Sequence, residues 1–520
     1  MKVIKKLKLK NFKRFEDFEV DFTPNINLII GDNEAGKSTI LTALELVISG
    51  SAARVESIGL ENIFSMSVIK SFLSSTKETD KLPTIHVEIY LEEQNDPNLH
   101  GNYNLDKKDS DGLQLICKPN ESLLGEINSI LSQSGDNFPF ELYDINFITF
   151  AGIAFSGYSK YFRYIAIDST QINNEYATRR YISNLYESLL NPVDRSILAN
   201  EYRQQKISFK DNSLHRVNSN LSNYEFSIRS NPRSNLDTDL TIVEGDIPIE
   251  HKGKGKQCFV KTEFALSQPQ GKSVNTILLE EPENHLSHIS MKKLINRISE
   301  SSVNQIFIAT HSSLVSTRLD LRKSILLNSN STSPVTLKDI PEDTAKFFMK
   351  APNNNILEFI LSKKVILVEG DAEFILLEAF YEKCSQSTTD IDDVHILSVG
   401  GTSFKRYLDL AEKLGIKTAV IRDNDGDYSK NCLERYNDYL SSTINVFYDS
   451  DNENTTFEIC LYKKNINLCD QLFYSPRRTL PILDYMLKNK ADSAFKLLDE
   501  KAEEINVPDY IEKAIEWIRG

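Results

Sequence analysis

Period-two alternation opens the chain. In "KVIKKLKLKNF" apolar residues fall at every second position, which predicts an amphipathic strand. "NINLIIGDNEAGKSTILTALELVIS" then runs from an apolar stretch through a glycine-rich turn into helical spacing, predicting strand, loop and helix. "TIHVEIYLEE" alternates again, and "INFITFAG" and "RYIAIDS" predict further strands. Residues 173–231 change to a polar, helically spaced pattern without a glycine, a helical insertion inside the first domain. Strand-like sequence returns at "DLTIVEGDIPIE". "VNTILLEEPENHL" and "NQIFIATHSS" are apolar runs ending in polar residues, as buried parallel strands do. Residues 1–172 and 232–328 thus read as two parts of one α/β domain. Residues 329–355 are rich in Ser, Asn, Pro and Asp, placing a linker over 329–360. "KKVILVEG", "DVHILSVGG" and "KTAVIRDNDGD", separated by helical patterns, predict a small parallel α/β domain over 361–520 with a helical tail.

Composition narrows the class without naming a chemistry. A chain of 520 residues with 40% hydrophobic and 26% charged content reads as two or three ordinary globular domains. No apolar run is long enough for a membrane span, and the lysine-studded N-terminus lacks a signal peptide's apolar core. The six cysteines form no CxxC pair and no metal spacing, which predicts reduced thiols in a cytoplasmic protein. The net charge of −14 argues against a generally basic DNA-coating protein but leaves room for a nucleic-acid enzyme with local basic patches. "KVIKKLKLKNFKR", "HKGKGK" (251–256) and "SPRR" (475–478) are candidate patches, each read more readily as a solvated face than as a DNA contact.

"GDNEAGKST" (Gly31–Thr39) is a complete phosphate-binding loop between a strand and a helix. Its glycines, Gly36 among them, let backbone N–H groups wrap phosphates, so Asn33, Gly36, Lys37, Ser38 and Thr39 are nucleotide-binding candidates. Lys37 would reach the β- and γ-phosphates, and the Ser38 hydroxyl would ligate Mg²⁺. Downstream, "TILLEEPENHL" ends a strand in Glu280 and Glu281. The first can hold Mg²⁺ through water, and the second can orient the attacking water. His311, closing "IFIATH", suits a γ-phosphate sensor. Together with "LKLKNFKRF", these segments resemble the ABC-type ATPases of the SMC and RecF kind. The resemblance implies two heads, each offering a signature loop to the other's ATP. The candidate here is "GKGKQ" (253–257), with Lys254 and Gln257 as its nucleotide contacts. It departs from the family's LSGGQ, with Lys254 in place of serine and Lys256 in place of the second glycine. Glu280 replaces the usual aspartate. These departures bear on hydrolysis rate, not on binding.

A second constellation lies in 361–520. Glu369 and Glu373 follow one apolar run, and Asp423 and Asp425 follow another. Parallel strands present their carboxyl ends on one edge, so neighbouring strands would bring four carboxylates together. Cations must hold such like charges, and oxygen donors suit Mg²⁺ or Mn²⁺. Two such ions can clamp an in-line phosphoryl displacement. Exposed turn residues are the plainer reading of any one of these motifs. "EGDAE", then "SVGG", then "DND", in this order, resemble the Toprim domain. An ABC ATPase followed by Toprim resembles the OLD family of nucleases. That resemblance implies Glu458, in "NTTFEI", as a further metal ligand and Lys490, in "KNKADSAFKLL", beside the scissile phosphate, with Glu369 and Lys490 in catalytic roles. It also implies an insertion used for dimerisation, DNA cleavage in antiviral defence, and in some members a helicase or retron reverse transcriptase encoded alongside. Two alternatives remain: a structural DNA-repair ATPase, and a Toprim ribonuclease acting on tRNA or other RNA.

Overall fold

The computed structural model describes residues 2–133, 137–157, 161–170, 175–221, 224–229, 235–266, 274–301, 303–328, 333–351, 355–401, 403–476 and 479–520. The chain forms two compact units, Met1–Leu319 with Lys323–Thr336, and Asp320–Arg322 with Leu337–Gly520.

Two sheets build the first unit. One is antiparallel, with strands in the order Phe15–Asp21, Ile4–Phe12, Ile85–Leu91, Ser110–Pro119, and Tyr143–Thr149 and His100–Gly101 also pairing with Ser110–Pro119. The other runs Val335–Thr336, Ser324–Leu327, Asn25–Gly31, Gln305–Thr310, Thr276–Glu280, Tyr164–Asp168, and all but the first are parallel. The helix Lys37–Ser49 packs against strands of both sheets. It buries Ile40, Leu41, Leu44, Leu46, Val47 and Ile48, apolar on nearly every side, as a helix enclosed on two faces must be. The side chain of Gln305 ties the sheets together. Its Oε1 accepts from Ile4 N at 2.8 Å, and its Nε2 donates to Ile4 O at 2.8 Å and Thr23 O at 3.0 Å.

The insertion is helical. Asn191 caps Pro192–Phe209 by accepting from Asp194 N at 2.8 Å, with proline in the first turn. That helix buries none of its residues; Val193, Ile197, Ile207 and Phe209 are all at least half exposed. "DLTIVEGDIPIE" differs from expectation. Only Val243–Glu244 and Ile247–Pro248 pair, because Gly245 and Asp246 turn the chain through positive φ and Ile249 already leads into a short helical turn. Two basic patches are neutralised in part by acids of the same unit. Lys8 pairs with Asp106 at 2.7 Å and Glu19 at 2.8 Å, Lys6 also meets Glu19, and Lys252 and Lys256 both meet Glu244. Arg477 and Arg478 of the third lie outside the described residues.

The second unit holds a parallel four-stranded sheet in the order Val394–Ser398, Lys364–Val368, Lys417–Ile421, Ile444–Phe447. The helices Asp371–Ser385, Lys490–Lys501 and Asp509–Arg519 share its core through Leu376, Phe380, Leu497, Ile511 and Ile515. The stretch read as linker contains two helices of this unit, Glu342–Lys350 and Ile356–Leu361. Phe348 and Phe359 pack edge-on against Tyr407 at 5.1 and 5.2 Å, so apolar residues hidden among the polar ones draw the segment into the core. All six cysteines are free thiols.

Replacing Gln305 with Ala leaves Ile4 N–H and two carbonyls without partners away from water. We expect a loss of about 2 kcal/mol or more in the denaturant unfolding of the first unit. An unchanged midpoint would show that the amide does not tie the sheets.

Candidate active site

Parallel pairing sets out the first unit's polar edge. Ile30 stands opposite Thr310, Ala309 opposite Glu280, and Glu280 opposite Asp168, so the residues after each strand end gather on one side. The loop after Gly31 turns into the helix through Gly36 at φ 102°, where a Cβ would meet the Phe15 ring at 2.6 Å; only glycine fits. Lys37 is buried and donates to the carbonyls of Gly31 at 2.8 Å and Asp32 at 2.9 Å, curled into the loop that phosphates would fill. The Ser38 hydroxyl hydrogen-bonds Glu280. Burial raises the Glu280 carboxyl above its ordinary pKa, with the charges of Asp168 and Glu281 adding to the rise and the Ser38 bond and Lys13 opposing it. Burial correspondingly lowers Lys13. His311 Nδ1 lies 2.6 Å from Glu281 Oε2, and Glu283 Oε1 accepts from Thr310 Oγ1 at 2.5 Å and His311 N at 3.1 Å. Ligand atoms of Glu281, Glu283 and His311 lie within 4.8 Å of one another, a spacing that could also hold a metal ion.

Gly253–Gln257 begins the helix Lys254–Leu266. Gly255 abuts the loop behind Glu281; a Cβ there would meet His285 O at 2.1 Å. Lys254 is exposed at the helix start, Lys256 is held by Glu244 at 2.8 Å, and Gln257 turns inward to donate to Lys252 O at 2.8 Å.

The second unit's edge is built the same way. The strand Lys364–Val368 lies beside Lys417–Ile421, so Glu369 and Asp423 leave neighbouring strands at the same edge. Glu373 sits in the first turn of Asp371–Ser385 and is buried. Asp423 Oδ1 accepts from Phe457 N at 2.8 Å, at the start of the helix Phe457–Lys464, whose first turn carries the buried Glu458. Lys490, the first residue of Lys490–Lys501, reaches Glu458 Oε2 at 3.0 Å. Burial first, then the charges of Glu373 and Glu458, push the Asp423 carboxyl up to about 7. Burial and Glu458 also raise Glu373. Burial works against the Lys490 ammonium, yet its bond to Glu458 and the charges of Glu458, Asp423 and Glu373 hold its pKa above the ordinary lysine value. Glu369 and Asp425 face a different partner. Both pair with Arg422, whose side chain is 1% exposed; the Asp425 Oδ2 contact is 2.6 Å.

Residues 360–425 match the family model described as the Overcoming lysogenization defect protein-like TOPRIM domain, and residues 6–225 match an AAA domain. The chain joins an AAA ATPase domain to an OLD-like Toprim domain. Endonuclease GajA of Bacillus cereus (strain VD045) is 24% identical over 456 residues, 80% of this chain and 74% of that protein. Old nuclease of Escherichia phage P2 is 26% identical over 193 residues, 35% of this chain and 33% of that protein. The solved C-terminal region of the Burkholderia pseudomallei OLD protein is 22% identical and covers 30% of this chain and 97% of its own, with a TM-score of 0.25.

In the ATPase domain, Lys37, Ser38, Glu280, Glu281 and His311 border one edge, with Asn33 exposed and Thr39 buried in the same loop and helix start. In the Toprim domain, Glu373, Asp423, Glu458 and Lys490 cluster, whereas Glu369 and Asp425 are drawn to Arg422. The donors of Glu373, Asp423 and Glu458 are all oxygen, the chemistry a hard divalent cation prefers, but among the described residues only Glu281, Glu283 and His311 bring such atoms within 4.8 Å of one another. Sequence reading missed Asp168, Lys13, Glu283, Arg422 and Asn424. Asp168 carried the same signal as Glu280, an acid closing an apolar run. Asn424 is buried and donates to Asp449 O at 2.8 Å and Asp451 O at 2.9 Å, tying the loop that leads to Glu458; nothing in "DND" separates it from its acidic neighbours.

With metal chelated, Asp423 makes stability depend on pH. Its folded pKa near 7 stands above the unfolded value of about 3.9. The ionised form is therefore disfavoured by folding, and stability falls as pH rises through that window. In EDTA, Asp423→Asn should melt several degrees above wild type at pH 8 and nearly with it at pH 4. Equal melting temperatures at pH 8 in a fluorimetric scan would refute the assignment.

Proposed function

We propose that the chain is an ATP-binding and ATP-hydrolysing, divalent-metal-dependent endonuclease that cuts or nicks DNA in the cytoplasm. The observation that carries this reading is the grouping of the buried Glu373 and Glu458 with the part-buried Asp423, and Lys490 at its rim, on the carboxyl edge of a sheet in an OLD-like Toprim domain. Its relatives are named Endonuclease GajA and Old nuclease. The ATPase half rests on the AAA match and on the phosphate loop facing Glu280, Glu281 and His311.

In this reading Lys37 swings from the Gly31 and Asp32 carbonyls onto the β- and γ-phosphates. Ser38 and Glu280 hold Mg²⁺, Glu281 orients the attacking water, and His311 senses the γ-phosphate. Asn33, Gly36 and Thr39 complete the loop, and Lys254 and Gln257 face the nucleotide of a second copy. At the Toprim edge Glu373, Asp423 and Glu458 hold Mg²⁺ or Mn²⁺, which supplies positive charge to the phosphate as negative charge builds on its oxygens. Lys490 sits beside the scissile phosphate and Glu369 takes the proton of the attacking water. The water oxygen bonds to phosphorus, the bond to the leaving oxygen breaks, and that oxygen takes a proton from solvent.

Dimerisation is supported by the signature loop and by the exposed apolar side chains of Pro192–Phe209. No described helix is long and apolar enough to cross a membrane. The family resemblance alone suggests an antiviral effector working with a helicase or reverse transcriptase encoded alongside.

Lys37→Ala should abolish ATP hydrolysis with the fold intact. Glu373→Ala and Asp423→Ala should each lower cleavage of supercoiled and linear DNA at least 100-fold while ATP hydrolysis persists. If both variants cut every substrate that wild type cuts, RNA included, the nuclease reading fails and a structural ATPase is the better one. Light scattering should give a mass of at least two chains at micromolar concentration, falling toward one for Ile197→Asp with Phe209→Asp. A wild-type monomer would refute the dimer.

A further inference from the structure

Glu281, Glu283 and His311 stand just after two neighbouring strands of the first unit, and their ligand atoms lie within 4.8 Å of one another. Glu281 and His311 have parts in the ATPase reading; Glu283 has none. Its side chain is only 10% exposed. Oε1 is occupied, accepting from Thr310 Oγ1 at 2.5 Å and from His311 N at 3.1 Å. Oε2 is buried and meets no donor among the described residues. A buried carboxylate oxygen without a donor is costly, and a bound cation removes the cost. A hydrogen bond between His311 and Glu281 explains why those two are close. It does not explain a third carboxylate buried beside them with an oxygen unmet.

The loop fixes these donors by its own backbone. Glu281 N donates to Ala309 O at 2.8 Å, Asn284 N to Glu281 O at 3.0 Å and Leu286 N to Glu283 O at 3.1 Å. His311 Nδ1 lies 2.6 Å from Glu281 Oε2 and 3.9 Å from Glu283 Oε1. Donors around a tetrahedral Zn²⁺ stand about 3.3 Å apart, between those two values. The His311 side chain is 55% exposed, which gives an ion a way in from solvent. One imidazole with two carboxylates suits Zn²⁺ better than Mg²⁺, which prefers oxygen throughout.

We propose that Glu281, Glu283 and His311 form a Zn²⁺ site, separate from the Mg²⁺ expected at Ser38 and Glu280, and that Zn²⁺ bound there arrests ATP hydrolysis. This rests on the ATPase reading above. The ion takes the place of the proton between His311 Nδ1 and Glu281, and the imidazole carries its proton on Nε2. Glu281 is then withdrawn from the attacking water and His311 from the γ-phosphate.

The test counts zinc first. Nucleotide-free full-length protein is dialysed against micromolar Zn²⁺ in millimolar Mg²⁺, and bound zinc is compared between wild type and Glu283→Gln, or Glu283→Ala should the first fail to fold. Zinc held elsewhere cancels in the comparison. The expected difference is one Zn²⁺ per chain; no difference overturns the site. Hydrolysis is then followed with Mg²⁺ and ATP. Zn²⁺ at ten times its Kd fills about nine sites in ten, so wild-type turnover should fall about tenfold. Glu283→Gln should keep whatever turnover it has without zinc. Undiminished wild-type turnover with the extra ion bound, or equal inhibition of both proteins, overturns the arrest. A wild type that hydrolyses no ATP even without zinc sinks the ATPase reading instead, and the zinc count still decides the site.

Discussion

Carboxylates gathered at strand ends repel one another, and the repulsion grows as water is excluded. Both sheet edges depend on how that repulsion is met. Parallel pairing forces the problem, since it stacks Glu280 beside Asp168 in one domain and brings Glu369 and Asp423 out at one sheet edge in the other. The ATPase edge meets it partially, with the Ser38 hydroxyl and the half-buried Lys13 against Glu280. The Toprim edge divides its acids into two sets, one closed by the buried Arg422 and one faced by the half-exposed Lys490. The second set keeps the unbalanced charge, and its central carboxyl is the one pushed up to about 7.

Local signals made much of this legible in the sequence. Apolar runs bounded by glycine and acids marked the strands, and the spacing of "GDNEAGKST" marked the phosphate loop, because both depend on neighbours a few residues away. Glu458 and Lys490 came only through family resemblance; they enter the site from helices whose docking depends on Asn424 and on core contacts far along the chain. The partition of the Toprim acids was not legible at all. Which carboxylate an arginine reaches is settled by strand adjacency and side-chain direction, and in "IRDND" Arg422 looks like any surface basic residue. Composition misled over 337–360, because the Ser, Asn and Pro just before it set the character of the wider 329–355 stretch and masked the aromatic residues that decide burial.

The contact of Gly255 with the carbonyl of His285 bears on how the signature helix can vary. Position 255 is closed to every side chain by backbone clearance, whatever the loop binds. Its neighbours are not closed: Lys254 is exposed and Lys256 only pairs at the surface. Substitution at 254 and 256 therefore leaves the packing of this helix start undisturbed, whereas any side chain at 255 must displace the His285 carbonyl and the loop that carries it.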